Sequence, residues 1–423
     1  MTPSTTDMAG PAGPLGPIGT ELRLEVLLSF TFGTVMLDRM VQLFLAPDLA
    51  HAFHLSGGQL GLLAGVVSVC WAASTALFGF ISDRVGRKRV LVPSVIAFSL
   101  ASFLSGFARD FNELLLVRAL LGLCEGPCWS VIMALMADQS SARHRGRNLG
   151  VVNCAGSLVG AAVAPIFATQ VAAAFGWRWA FFAAGIPGLI AAALIATLVR
   201  EPTRVAGAPR PGLADWLRVL RVPGLWLCFA GAICFTTFVI AFSIFAPIYL
   251  TGVHHLPGTV AGYILGASGL GGFVYSLAGP AISDKIGRRP MLMVAAALCV
   301  ALPLVLVYAV GAPPSLLAVA ALMLTAAPAV AALMLIVLPV ELAPGGASAS
   351  AIGFVAIGAE AIGATLGPIL AGMSADRFGA SAPLLVCSAA AAGIFLISLA
   401  VRPPRELADL NRDAEPVKAN HSR

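Results

Sequence analysis

The chain reads as about a dozen apolar stretches, each roughly 20 residues or longer, joined by short polar turns. In hydrocarbon every backbone N–H and C=O must find its partner inside the protein, so only helices and closed barrels cross a bilayer. These stretches are too long for transmembrane strands and show no strict alternation of apolar and polar residues, so the expected spans are helices. Of the 423 residues, 59% are hydrophobic and 11% charged; a soluble domain usually carries about 25% charge. The expectation is an all-α integral membrane protein of twelve transmembrane helices. They are expected at about 24–46, 58–81, 90–108, 112–137, 147–173, 178–199, 224–251, 259–283, 290–311, 314–340, 347–374 and 382–401.

The basic residues set the expected orientation. Arg84, Arg87, Lys88 and Arg89 follow the second stretch, and Arg143, Arg145 and Arg147 the fourth. Arg204, Arg210, Arg218 and Arg221 follow the sixth, and Lys285, Arg288 and Arg289 the eighth. The alternate loops hold only Arg109, Arg178 and Arg377. By the positive-inside rule both termini are expected in the cytoplasm, with the protein in the inner membrane. The net charge of +6 is then a topology signal, and no nucleic-acid partner is expected. The eight cysteines fall almost entirely inside apolar stretches, with no CxxC or Cys/His cluster. They read as small buried residues; no metal, cofactor or disulfide is expected. A cleaved signal peptide is not expected, because the first apolar stretch already contains Asp38-Arg39.

An internal repeat divides the chain. The second stretch ends Gly79-Phe-Ile-Ser-Asp83-Arg-Val-Gly86-Arg87-Lys88-Arg89, and the eighth ends Gly279-Pro-Ala-Ile-Ser-Asp284-Lys-Ile-Gly287-Arg288-Arg289-Pro290. The expected organisation is a disordered cytoplasmic start (1–22), a six-helix bundle (23–200), a cytoplasmic linker (201–223), a second six-helix bundle (224–402) and a cytoplasmic tail (403–423). Within the linker, Leu213, Trp216, Leu217 and Leu220 share one helical face, which suits either a surface helix or a tethered loop. Repeated halves are a common plan of secondary transporters, with the substrate near the midplane.

The paired Asp-basic-x-Gly-Arg-basic loops, each preceded by a glycine (Gly79, Gly279), resemble the signature of the major facilitator superfamily, and the two sets of six spans fit it along essentially the whole chain. A finer resemblance, to the anion:cation symporter family, rests on Leu37-Asp38-Arg39, on Arg118-x-x-x-Gly122-x-x-Glu125-Gly126-Pro127 and on Gly176-Trp177-Arg178-Trp179-x-Phe181. That resemblance implies transport of organic anions, such as sugar acids or aromatic carboxylates, together with protons. Where sugar-acid carriers of that family often show tyrosine, this chain has Met36 and Trp71. Both changes remove a hydroxyl, and a polyhydroxy acid buried without partners loses about 1–3 kcal/mol per hydroxyl. The expected cargo is therefore an aromatic or otherwise apolar carboxylate.

The residues themselves point the same way. An ionisable group at bilayer depth costs about 2.5–3.5 kcal/mol on insertion scales and normally faces a partner or water. Asp38 and Arg39 interrupt the first stretch; Arg118 and Glu125 interrupt the fourth. Arg118 and Glu125 are two helical turns apart, on one face, about 10 Å along the axis. Asp38 is expected against Arg118 and Arg39 against Glu125, or the reverse. Arg39 and Arg118, with Trp71 and Met36, are the candidate substrate-binding residues, because a guanidinium fork matches a carboxylate. Glu125, Asp38 and Glu360 are the candidate proton carriers. Glu360, in the eleventh stretch, has no Lys or Arg within the last six spans to balance it, and a protonated structural role is the alternative. Phe235, Phe238 and Phe242 are candidates either for the pocket wall or for packing. Asp83, Arg87, Asp284 and Arg288 are candidate gate residues, with Asp138 against Arg145 or Arg147 as a further pair; simple topology anchoring is the alternative.

The partners expected are a small organic anion, protons and the bilayer, with the protein acting as a monomer by alternating access. An exporter working by proton antiport is the competing reading. Antiporters of the superfamily this chain resembles often carry a Gly-Pro pair followed by glycines in the fifth helix; here that stretch reads Gly160-Ala-Ala-Val-Ala-Pro165 without glycines beside the proline, which counts against the exporter. No nucleophile–base or metal constellation points to an enzyme.

Overall fold

The computed structural model describes residues 17–401 except 142, 200, 202–212 and 345–346, and every regular element in it is a helix. Residues 1–16 of the expected start, 202–212 of the linker and the whole tail lie outside the described residues, as do the side chains of Asp83, Leu213 and Trp216; residues 17–22, also assigned to that start, belong to the first helix. The long helices are α1 (Pro17–Phe44), α3 (Gly57–Val85), α4 (Arg87–Phe107), α5 (Phe111–Gln139), α6 (Arg145–Phe175) and α7 (Trp177–Leu198). They continue as α9 (Pro223–Gly252), α10 (Gly258–Ile286), α11 (Arg288–Tyr308), α12 (Pro314–Leu342), α13 (Ser350–Phe378) and α14 (Ala382–Ala400). Two short helices, α2 (Ala46–Phe53) and α8 (Leu213–Leu220), lie between them. Eleven of the twelve long helices are apolar and long enough to cross a membrane; α1, which holds Asp38 and Arg39, is the twelfth. The protein is an all-helical, multi-pass membrane protein, as the apolar stretches imply.

Local chemistry explains the ends. Asp110 caps α5, its carboxylate accepting from the Glu113 N–H at 2.9 Å, while Glu113 reaches back to the Arg109 N–H at 2.9 Å. Gly86 and Gly287 turn the chain into α4 and α11 at φ 124° and 96°, a region that glycine enters without a Cβ clash. Lys88 secures the other end of its unit: its Nζ donates to the carbonyls of Ala196 (2.7 Å) and Val199 (2.8 Å) at the end of α7.

Packing divides the chain into two units. Unit 1 comprises the described parts of Met1–Gln42 and Cys70–Ala206; unit 2 comprises those of Leu43–Val69 and Gly207–Arg423. Unit 1 packs around Leu28, Phe32, Val35, Leu91, Phe98, Ile132 and Leu135, all buried. The repeat is visible as matching contacts inside each unit. In unit 1, Arg87 donates to Asp138 (3.1 Å) and to Ser82 (3.4 Å). In unit 2, Arg288 donates to Glu341 (3.1 and 2.9 Å) and Ser283 (2.6 Å), and pairs with Asp284. Ser74 contacts the Gly122 carbonyl, and Tyr275, at the same sequence spacing, donates to the Met323 carbonyl. The fifth long helix of each half, α6 and α13, contains a wide turn, at Val159–Val163 and Gly358–Gly363. Such turns recur at functional sites.

Candidate functional site in unit 1

Helix α5 carries two faces. Leu116, Leu120 and Leu123 point outward and suit hydrocarbon, while Leu114, Arg118, Leu121, Gly122, Glu125 and Gly126 are buried. Arg118 and Glu125 are both 0% exposed, as is Asp38 on α1. Three ionisable side chains thus meet inside one packed unit.

The expected partners act on each other by charge, Asp38 with Arg118 and Glu125 with Arg39, but Arg118 makes no hydrogen bond to either acid among the described residues. The Arg118 guanidinium lies over the Phe181 ring at 4.4 Å, and none of its three nitrogens has a hydrogen-bond partner among the described residues. It acts on Asp38 and Glu125 through its field, without a hydrogen bond to either. The aromatic ring occupies the guanidinium face and holds it by cation–π attraction. Asp38 turns one oxygen to Ser102, whose Oγ is also 2.9 Å from the Phe181 carbonyl. The single hydroxyl proton serves one of those two acceptors at a time. The Asp38 and Glu125 carboxyls are also within reach of each other. With no proton between them, Asp38 Oδ2 and both Glu125 oxygens are acceptors facing acceptors and lack a donor. One shared proton turns that clash into a hydrogen bond.

Arg39 lies over the Trp71 ring at 4.2 Å, and its charge reaches Glu125. Trp71 is brought there by close approach of α3 to α5. A Cβ on Gly126 would lie 1.9 Å from Ser74 Oγ and 2.6 Å from the Trp71 carbonyl, so only glycine permits the contact. Thr75 Oγ1 donates to the Gly126 carbonyl at 2.7 Å and fixes the register. Met36 lies farther along α1, against Gly160 in the wide turn of α6. Ser102 and Phe181 are functional neighbours that the sequence reading did not single out as site residues. The signal available for the first was serine at 99, 102 and 105 in an apolar helix; for the second, the aromatic run at the start of α7.

The remaining candidates lie elsewhere. Glu360 is half-buried in the wide turn of α13 in unit 2, where its backbone carbonyl accepts from Thr365. Phe238 and Phe242 are buried and stacked on each other at 5.7 Å; Phe235 is half-buried. Among the gate candidates, Arg87, Asp284 and Arg288 take part in the ion pairs described above. Asp138 pairs with Arg87, not with Arg145 or Arg147, and Arg147 pairs with Glu25 at 3.5 Å.

A membrane protein of helical spans that buries unpaired ionisable groups in its interior has the makings of a carrier for polar cargo. Residues 28–368 match the model of the Major Facilitator Superfamily, and the chain belongs to that family. It is 33% identical over 272 residues to a probable 4-methylmuconolactone transporter of Cupriavidus pinatubonensis, covering 60% of this chain and 61% of that one. It is 30% identical over 258 residues to the 3-(3-hydroxy-phenyl)propionate transporter of Escherichia coli (59% and 61% covered). It is likewise 30% identical over 267 residues to the hexuronate transporter of Bacillus subtilis (59% and 63%). Each match therefore spans about three fifths of the relative's length. Among solved structures, a bacterial homologue of the lysosomal transporter Spinster superposes with TM-score 0.73 at 19% identity, covering 90% of this chain and 94% of that one. The nucleoside transporter NupG superposes with TM-score 0.72 at 14% identity, covering 90% and 98%. These likenesses concern the fold alone.

Proposed function

We propose that the protein moves an organic carboxylate across the inner membrane together with protons, by alternating access, and that Asp38, Arg39, Arg118 and Glu125 do the chemistry. One observation carries this reading: Asp38, Arg118 and Glu125 are wholly buried, yet six of their polar atoms have no hydrogen-bond partner among the described residues. Leaving charge in that condition costs several kcal/mol, and a purely structural site would be better filled with apolar side chains. The unmet valences match a definite cargo. Arg118 offers N–H groups to a carboxylate, and Arg39 a second guanidinium within reach of Glu125's field. The Asp38–Glu125 contact takes one proton to become a hydrogen bond, and that proton leaves the four side chains with one net positive charge for the incoming anion to offset. Anion and proton thus favour each other's binding, as coupled transport requires.

An aromatic or apolar acid suits the ring-lined surroundings: Trp71 under Arg39 and Phe181 under Arg118 supply faces, not hydroxyls. The relative named for a phenylpropionate fits this preference. The one named for hexuronate supports a second reading, a sugar acid, in which the Ser102 hydroxyl would serve the cargo.

The test is uptake by proteoliposomes under an imposed inward proton gradient, with labelled 3-(3-hydroxyphenyl)propionate and glucuronate offered separately. Gradient-dependent accumulation of the aromatic acid is expected. Accumulation of glucuronate alone would favour the sugar-acid reading. Accumulation of neither acid, with expulsion of preloaded acid instead, would favour the exporter and overturn the proposal.

A further inference from the structure

The sequence Asp-basic-apolar-Gly that ends α3 (Asp83-Arg84-Val85-Gly86) and α10 (Asp284-Lys285-Ile286-Gly287) occurs a third time. It ends α13 as Asp376-Arg377-Phe378-Gly379. Gly379 holds φ 91°, in the same region as Gly86 and Gly287. In this third copy the aspartate reaches the start of α3. Asp376 Oδ1 accepts from the Gly57 N–H at 2.7 Å, and Oδ2 from the Gly58 N–H at 2.9 Å.

Those amides belong to the first turn of α3, whose N–H groups have no partner within the helix and whose dipole favours negative charge. Ser56 caps locally, its Oγ accepting from Gln59 N–H at 3.2 Å while Gln59 accepts from Ser56 N–H at 2.9 Å. Asp376, 319 residues downstream, satisfies the two amides that Ser56 leaves. Behind the cap, backbone meets backbone. A Cβ on Gly61 would lie 2.2 Å from the Pro368 carbonyl, and one on Gly372 would lie 2.0 Å from the Gly57 carbonyl. The seam has no side chain interlocked across it at these points.

The segment Leu43–Val69 is joined covalently to unit 1 at both ends, yet it packs as part of unit 2. The cap is one of the contacts that hold it there. Both partners of the cap are hydratable: Asp376 is exposed, and Gly57 and Gly58 are half-buried. Water can therefore replace these hydrogen bonds when they break, which keeps the cost of opening low. A smooth glycine seam offers no steric lock against separation.

We propose that Asp376 is a releasable latch: bound to the α3 N-terminus it keeps Leu43–Val69 with unit 2, and on release the segment follows unit 1. The inference uses the reading that the protein cycles between two states, and is independent of which acid it carries. By the charge asymmetry of the loops, the latch sits on the non-cytoplasmic side.

Hydrogen exchange with peptide-level mass spectrometry on the full chain tests it. In Asp376→Asn one acceptor and the charge are lost, and exchange at residues 57–61 should accelerate about five- to tenfold, with the α4 peptides unchanged. Gly61→Leu, which cannot seat against Pro368, should accelerate the same amides without touching the carboxylate. A second readout separates a latch from a static cap. Ser68, 2% exposed, is changed to Cys in a Cys70→Ser background and labelled with a water-soluble maleimide, resolved by peptide mass from the other native cysteines. Labelling should rise when Asp376→Asn is added. Unchanged exchange at 57–61 in Asp376→Asn overturns the proposal, and so does faster exchange with unchanged labelling of Ser68→Cys. Neither readout needs a substrate, so both stand if the transport reading fails.

Discussion

The α5 and α12 spans hold matching places in the two repeats and fill the middle of the span in opposite ways. Each is touched by a hydroxyl from the second long helix of its own half, and each ends on an acid paired to an arginine. On either side of the Gly122 contact α5 is continuous and turns Arg118 and Glu125 inward. In contrast, α12 breaks at Thr325–Ala326, and the residues buried there include Ala321, Ala326, Ala327 and Ala329. The broken turn is made good by neutral groups: Thr325 Oγ1 donates to the Ala321 carbonyl at 2.7 Å and meets Ser268 at 2.6 Å. One half thus accepts unmet charge where the other settles its polar backbone locally. A fold that can satisfy this position without charge has no structural need for Arg118 and Glu125, so their cost points to function.

The largest effect that sharpens this contrast is loss of an arginine in unit 1. Arg118→Leu and Arg39→Ala should each lower uptake at least about 30-fold, the range for removing one partner of a buried charge interaction. Initial uptake rates and ligand-induced thermal shifts check it; an unchanged affinity in either variant removes that residue from the site. Next come the matched ion pairs. Arg288 has two hydrogen bonds to the half-buried Glu341, whereas Arg87 has one to the more exposed Asp138. Glu341→Gln should therefore cost about 1–3 kcal/mol of stability and Asp138→Asn under about 1 kcal/mol, read as melting temperatures in detergent. Equal losses would mean that the two repeats are energetically alike at this end. The smallest effect is at the break in α12. Thr325→Val should cost about 1 kcal/mol and leave uptake within about threefold. A collapse of uptake there would show unit 2 to be as chemically engaged as unit 1.

Much of the fold was legible because a bilayer leaves the chain few choices. Twelve apolar stretches become twelve long helices, with ends within about four residues of those expected except at α1, which begins at Pro17, seven residues early. The Ser-Asp-basic-x-Gly-Arg repeat reappears as paired Arg87 and Arg288 networks. The site was legible as a set of residues but not as contacts. Spacing along α5 puts Arg118 and Glu125 on one face, yet nothing local says that Phe181, in another helix, takes the Arg118 face. Nor does it say that Asp38 turns to Ser102 and Glu125 instead of an arginine. The break in α12 was also hidden: Thr325-Ala326-Ala327-Pro328 reads as a continuous apolar span, and Pro328 can begin a new helix as readily as kink an old one. The Asp376 cap was missed for a related reason. Arg377 was read as one lone outside charge, and the aspartate beside it matches its repeats only when the helix end is seen.

The most direct measurement compares two modes of transport in one variant. In proteoliposomes, Glu125→Gln should lose accumulation of labelled acid driven by a proton gradient while keeping counterflow exchange at equal pH. That result follows if the Asp38–Glu125 contact takes up the coupling proton. Gradient-driven accumulation at the wild-type level in Glu125→Gln would contradict it.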